Sequence, residues 1–462
     1  MSDATGSKKV QINQFQILFT SKKITAYGGF SLLAKFFERI GLREVFSQAF
    51  PIPEVSPNAL GPYPKALSFL LMLFAGGKRF SHLLYLGESK DLLAGLFGVK
   101  RLPKASTTLT RFFGKVKRWK SIEFLHEAFW PFLLNVIPWE KIKEDDLTFD
   151  SHVCVRFGKQ EGAKKGYNVK KPGRPSHHPL LGFLNQSRYV VNLWNRPGNA
   201  SGAHNIVAFL DQTLQRLAPH LRIRTVFADS GFYDLIFLQA LEKREMPYVV
   251  AVRLHQVLQA KFFSKTLLWD EVAPGIEMAE FLFKHDKWEK ERRYFVIREK
   301  LREDKAIVGK QLSLFPEDDL NQNYRYRAYI TDSEEGMKTL WDRYRLRSDD
   351  ENRIKELVED FGLNGFSLRS FYATEAAMLT GCLMYNLFNL FRQEILSESE
   401  SAERASTVRY KYWTIPAIAG RSGNQWVLRL GVSSKTLRAK IEYLFARITK
   451  RFSLPESQLQ CS

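Results

Sequence analysis

The chain has 462 residues, 45% of them hydrophobic, which is length for about three domains of ordinary size and apolar content enough to fill their cores. Its 69 Lys and Arg against 49 Asp and Glu give a formal charge of +20, which excludes an acidic or neutral balance and points to a polyanionic partner. Cys154, Cys382 and Cys461 are too few and too scattered for a disulfide framework or a thiolate zinc site, so a reducing cytoplasm is expected.

Taken in chain order, Met1 to Val10 carries Asp3 and two lysines but no apolar core, so no secretion signal is expected. From about Gly29 to Lys143 the apolar residues fall at helical spacing, as in Leu32-Leu33, Phe36-Phe37 and Ile40. Residues 1–143 therefore read as a helical N-terminal DNA-binding domain. Ala66 to Ala75 is about half the roughly 20 residues that span a bilayer, so it reads as a buried helix and no membrane partner is expected. Asp91 to Gly98 followed by Ser106 to Phe113 reads as helix, turn, helix. A DNA-reading helix would put Thr107, Thr108 and Arg111 at its exposed start; an ordinary helical hairpin with a solvated basic face fits the same pattern.

The pattern changes near Asp146. Phe149, Val153, Val155 and Phe157 predict a strand, and Leu180 to Leu184 and Tyr189 to Trp194 predict two more, tightly connected by Asn185-Gln186-Ser187. Ser201 can cap a helix whose apolar face is Ile206, Phe209, Leu210, Leu214 and Leu217. Ile223 to Ala228 reads as a fourth strand, Phe232 to Lys243 as a helix and Tyr248 to Val252 as a fifth strand. The order β-β-β-α-β-α-β is that of an α/β, ribonuclease-H-like fold. Its first part spans 144–254. A β-rich insertion follows over 255–332, with strands at Phe281 to Phe283, Tyr294 to Ile297 and Tyr324 to Ile330 and a charged run near Arg302 to Lys305. The helical part of the core returns over 333–396, and 397–462 is a basic C-terminal region with 11 Lys and Arg against 3 Asp and Glu from Ser401 to Ser462.

Cutting and rejoining phosphodiesters needs an activated attacking oxygen and a stabilised leaving 3′ oxygen, which two Mg2+ ions about 4 Å apart can supply. Such hard cations take carboxylate oxygens. Asp150 lies in the first strand beside apolar Phe149 and Val153, where an uncompensated carboxylate is costly. Asp229 ends the fourth strand, the neighbour of the first in this fold. Tyr344, Arg347 and Glu351 stand at i, i+3 and i+7, on one face of a helix, with Asp349 and Asp350 turned away. Glu351 is thus the third candidate ligand.

These residues resemble the DDE transposases of bacterial insertion sequences, in particular the group whose helix carries Tyr, two residues, Arg, three residues, Glu, here Tyr344 to Glu351. Lys164 to Leu181 and Ala228-Asp229-Ser230-Gly231-Phe232 resemble the branch named for insertion sequence 1380. The resemblance implies a transposase that binds the inverted-repeat ends of its own element. It implies Asp150, Asp229 and Glu351 as catalytic metal ligands for two Mg2+ ions, with Mn2+ as a substitute, and Tyr344 and Arg347 as DNA contacts. It also implies double-stranded DNA as partner and a homodimer or larger assembly holding two ends. One departure stands out: where the family pattern often has a Lys after the Glu, this chain has Val358. Lys355, one turn beyond Glu351, is the proposed substitute for that DNA contact, its alternative being a pair with Glu351 or Glu359.

Further residues have two readings each. Lys159, Lys164, Lys165, Lys170, Lys171 and Arg174 form a basic run with the single acid Glu161, either a DNA-contacting loop beside the metal site or a solvated one. Pro172-Gly173-Arg174-Pro175 is also similar to a minor-groove hook. His152, His177 and His178 lack spaced partners and read as structural. Trp288 is either an aromatic platform for an extruded base or a core residue. Two other functions share these features: a nuclease of the same fold without strand transfer, and a DNA-binding descendant that no longer cuts.

Overall fold

The computed structural model describes residues 10–50, 58–168, 171–254, 258–259, 261, 267–286, 288–300 and 324–452. Helices dominate the first third, as the apolar spacing requires: Phe30–Arg39, Leu42–Ala49, Pro62–Phe74, Lys90–Leu96, Ser106–Phe113 and Trp119–Val136. Gly61 and Pro62 set the start of the third, since proline's missing N–H and fixed φ suit a first helical turn. Its side chains from Ala66 to Phe74 are buried, and no helix among the described residues is long and apolar enough to cross a membrane. Ahead of these helices lie three short strands that the spacing did not predict, β1 (Val10–Ile12), β2 (Phe15–Ile17) and β3 (Lys23–Thr25).

The remaining strands are β4 (Glu144–Ser151), β5 (Cys154–Val155), β6 (Lys164–Lys165), β7 (Pro175–His177), β8 (Leu180–Leu184), β9 (Val190–Trp194), β10 (Arg222–Ala228), β11 (Tyr248–Ala251), β12 (Asp270–Ala273), β13 (Ile276–Phe283), β14 (Arg292–Lys300), β15 (Tyr324–Thr331), β16 (Ala417–Ser422) and β17 (Gln425–Leu430). Nine of them form one mixed sheet in the order β12-β13-β14-β15-β11-β10-β4-β8-β9. β4, β8 and β9 pair antiparallel, while β10 lies parallel to β4 and β11 parallel to β10. The helices Ile206–Leu217 and Leu235–Glu242 make the two crossovers. Mixed α/β architecture with hairpins first and crossovers afterwards is what the pattern predicted.

Three local expectations are corrected. The first strand stops at Ser151 instead of running to Phe157; β5 pairs with β7 in a small sheet of its own, and Phe157 is exposed. Ser201 does not cap the next helix, which starts at Ile206 behind a left-handed Asn205, while the Ser201 carbonyl accepts a hydrogen bond from Arg196. The helix expected from Phe232 begins at Leu235, where the Asp234 carboxylate accepts from the N–H groups of Ile236 and Phe237. The strands of the β-rich stretch join the central sheet. β15 pairs antiparallel with β11, so β12 to β15 extend the central sheet and pair the edge that β11 would otherwise expose. The expected charged run at Arg302 to Lys305 lies outside the described residues.

Two anchors hold the helical part of the C-terminal half against this sheet. The helix Phe371–Glu394 is buried along nearly its whole length, polar residues such as Glu375, Asn386 and Arg392 included. Its Asn386 accepts the Val190 N–H (2.9 Å) and donates to the Val190 carbonyl (2.7 Å), which closes the outer edge of β9. The helix Met337–Leu346 is fixed by Arg343, which donates to fully buried Asp146 of β4 and to the Thr225 hydroxyl, and pairs with Glu335 at 2.6 Å. Arg224 holds the other side of Asp146 at 2.8 Å. Removing Asp146 would leave Arg343 with Glu335 and Arg224 with Glu144 as remaining charged partners, so the loss is that of charge-assisted hydrogen bonds, about 1.5–3 kcal/mol. Asp146→Ala should therefore lower unfolding stability by that order in urea titration, and a loss below about 1 kcal/mol would show that Arg343 does not anchor the helix.

Candidate active site

β4 and β10 run parallel with Phe149 beside Ala228. The next residue on each strand is an aspartate, so Asp150 and Asp229 leave neighbouring strand ends side by side. Each is fixed by a local hydrogen bond: Asp150 accepts the Ser151 N–H and Asp229 accepts the Gly231 N–H, both at 2.7 Å. A Cβ at Gly231 would lie 2.8 Å from Asp229 Oδ1 and would displace that carboxylate.

The helical Tyr-x2-Arg-x3-Glu segment supplies the third side. The helix is interrupted at Arg347, whose N–H bonds back to the Tyr344 carbonyl, so Glu351 belongs to a second helix, Ser348–Glu359. The three residues nevertheless line one cavity of about 490 Å³ with Ser230, Tyr326, Arg327 and Arg345. The Tyr344 hydroxyl donates to the carbonyl of Ala228, next to Asp229, and accepts from Arg347, each at 3.3 Å. The Arg347 guanidinium stands 3.6 Å from Asp150 and 3.8 Å from Asp229. Asp349 is turned away, as expected, and meets Arg188 at 3.3 Å and Arg353 at 3.4 Å.

Burial pushes the Asp150 carboxyl up to about 6; Arg347 opposes this, and the charges of Asp229 and Glu351 add to it. The charges of Asp229 and Glu351 are thus both felt at Asp150. Among the described residues no group of three His, Cys, Asp or Glu is close enough to hold one ion together. The pair Asp150 and Asp229 nonetheless fits a hard divalent cation in donor chemistry. It offers carboxylate oxygens on rigid strand ends, and Asp150, only 13% exposed, stays short of compensating positive charge even beside Arg347.

The other candidate residues are dispersed. Lys164 and Lys165 are exposed, but on β6, not on a loop; β6 pairs with β7, and Gly166 packs so closely that a Cβ would lie 1.9 Å from the Gly198 carbonyl oxygen. Glu161, the lone acid of that run, accepts the Phe371 N–H at the start of the buried helix. Lys171 and Arg174 lie over the exposed Phe157 ring at 5.0 and 5.8 Å, and Lys170 lies outside the described residues. Arg111 and Thr107 are exposed on the helix Ser106–Phe113, with Thr108 half-buried. Trp288 is half-buried, its ring tilted against those of Tyr233 and His285, with Arg292 at 4.8 Å from it. Lys355 is exposed, whereas Val358 packs against the core. His152 bonds Asn364, His178 bonds the Ala200 carbonyl, and His177 lies between Arg156 and the Glu161 carbonyl, its pKa pushed down to about 4 by burial and then by Arg156. Tyr326, Arg327 and Arg345 were not singled out from sequence, although the alternating Tyr324-Arg325-Tyr326-Arg327 was visible there.

Residues 7–451 match the family profile of the Transposase DDE domain group 1. The chain belongs to that family. A comparison with curated proteins finds no match. Among solved structures the chain is similar to a cryo-EM piggyBac transposase synaptic complex with hairpin DNA, at 10% identity over 96% of this chain and 87% of that one, with a TM-score of 0.45. In this DDE-family transposase the cation beside both aspartates is a guanidinium, which makes a direct test available. Arg347→Gln removes it and leaves two acids facing each other. Added Mg2+ should then raise the melting temperature of the variant by several degrees more than that of the parent, since only the folded state binds the ion. Equal shifts in both proteins would place the ion elsewhere.

Proposed function

We propose that the protein is the transposase of a bacterial insertion sequence, of the branch named for insertion sequence 1380. In this reading it binds the inverted-repeat ends of its element and catalyses Mg2+-dependent strand cleavage and strand transfer. The observation that carries this is the juxtaposition of Asp150 and Asp229 on parallel strands with Arg347, from the Tyr-x2-Arg-x3-Glu segment, within 4 Å of both. A ribonuclease-H-like core is supported by the run β9-β8-β4-β10-β11, whose first three strands are antiparallel and whose last two return parallel. That core takes in 144–254 and 333–396, with 255–332 inserted, 1–143 as a helical DNA-binding part and 397–462 as a basic end.

Asp150, Asp229 and Glu351 would hold the Mg2+ ions, which when bound activate the attacking oxygen and stabilise the leaving 3′ oxygen. Tyr344 and Arg347 fix the approach of the Glu351 helix to the aspartates. Arg347 also presents a planar fork suited to a scissile phosphate. Lys164, Lys165, Lys170, Lys171 and Arg174 guide the duplex backbone, and Lys355 takes the phosphate that the family Lys would meet at the Val358 position. The substrates are double-stranded ends and target DNA, and at least two protomers hold the two ends in the cytoplasm.

Asp150→Asn, Asp229→Asn and Glu351→Gln should each reduce Mg2+-dependent nicking of an end duplex by about 10²-fold or more, because transition-state charge loses its stabilisation. Gel-shift affinity for the same duplex should change only a few-fold, since phosphate contacts are retained. Near-normal nicking by any one variant removes that residue from the ligand set.

A further inference from the structure

Away from the nine-stranded sheet, β16 and β17 form an antiparallel ribbon paired from Ala417 with Leu430 to Ser422 with Gln425, and β3 pairs along the other edge of β16. The ribbon turns at Gly423, whose φ of +59° suits glycine, and Ser422 to Gln425 are exposed. No Asp or Glu occurs between Glu403 and Glu442. Of the cations in this stretch, Arg404, Arg409, Lys411 and Lys440 are spent on internal ion pairs. Arg421, Arg429, Lys435 and Arg438 are exposed, as are Lys23 at the start of β3 and Lys22 before it. At the tip Trp426 is 60% exposed, with Lys23 and Arg421 each 5.0 Å from its ring. Asp91, with Lys23, Lys100 and Trp426, lines the cavity behind the ribbon.

Cations shielding an exposed indole would explain Trp426 alone. They do not explain an acid-free ribbon with a polar, exposed tip of Ser422, Asn424 and Gln425. A two-stranded β-ribbon has the width of a duplex major groove, and amide side chains can reach base edges there. We propose that the β16–β17 ribbon is a second duplex-DNA contact, separate from the acidic site, with Lys23, Arg421 and Arg429 on phosphates and the tip in a groove. This rests on the functional reading only in taking duplex DNA as the partner.

Fluorescence anisotropy of the full chain with an end duplex and a shuffled duplex, across 50–200 mM salt, tests the proposal. The variant Lys23→Gln/Arg421→Gln/Arg429→Gln should flatten the log–log salt slope by about 0.9 per lost contact, roughly 2–3 in all, on both duplexes. Lys411→Gln, whose parent side chain is held by Glu403, should keep the parent's slope. Asn424→Asp/Gln425→Glu alters only the exposed tip, leaves packing untouched, and should weaken binding at least tenfold. Parent-like slope in the triple variant, or parent-like affinity in the tip variant, overturns the ribbon contact while leaving the functional reading standing. A parent that shows no salt-dependent duplex binding overturns both.

Discussion

Two carboxylates repel, and in this fold they are forced together because β4 and β10 run parallel with Phe149 beside Ala228, each strand continuing into an aspartate. Much of the surrounding structure serves that collision. Tyr344 and Arg347 come from a helix pinned to the sheet by Arg343 and Asp146, and Arg353 ties the following helix to the β8–β9 turn through the Leu184 carbonyl. Arg347 then meets both aspartates. The arrangement concentrates negative charge at the paired strand ends, and burial there raises the Asp150 pKa.

The positive charge of the chain is distributed by the same logic. Asp360, buried beside the helix that carries Glu351, binds Arg404 and Arg409. Glu394 at the end of the buried helix binds Lys141 and Arg451. The basic C-terminal region is therefore partly a set of staples that close the chain on itself. Exposed cations remain on the β6 edge, on the β16–β17 ribbon and among the N-terminal helices at Arg111, Lys115, Lys117, Arg118 and Lys120, and these are surfaces a polyanion could meet.

What was legible in sequence follows from which interactions are local. Asp150 and Asp229 could be picked out because each ends an apolar run, and the strand order of the core follows from the change of hydrophobic period. β12 was hidden because Asp270 and Glu271 are exposed on an edge strand and break the apolar pattern. The cap at Ser201 misled because Asn205 turns the chain four residues later. The pairing of β3 with β16 joins opposite ends of the chain, and Arg343 reaches Asp146 across 197 residues; no local pattern encodes either. The basic run read as a loop from its composition, yet Gly166 against Gly198 and the Glu161 carboxylate at Phe371 fix it to the core.

The central proposal is that Asp150, Asp229 and Glu351 together hold the divalent ions. Loading the protein with Fe2+ and triggering hydroxyl-radical cleavage of the polypeptide, followed by mass spectrometry of the fragments, addresses it directly. The account predicts backbone cuts next to all three residues, suppressed together by excess Mg2+. Cuts confined to other segments, or cuts at these three that Mg2+ fails to suppress, would contradict it.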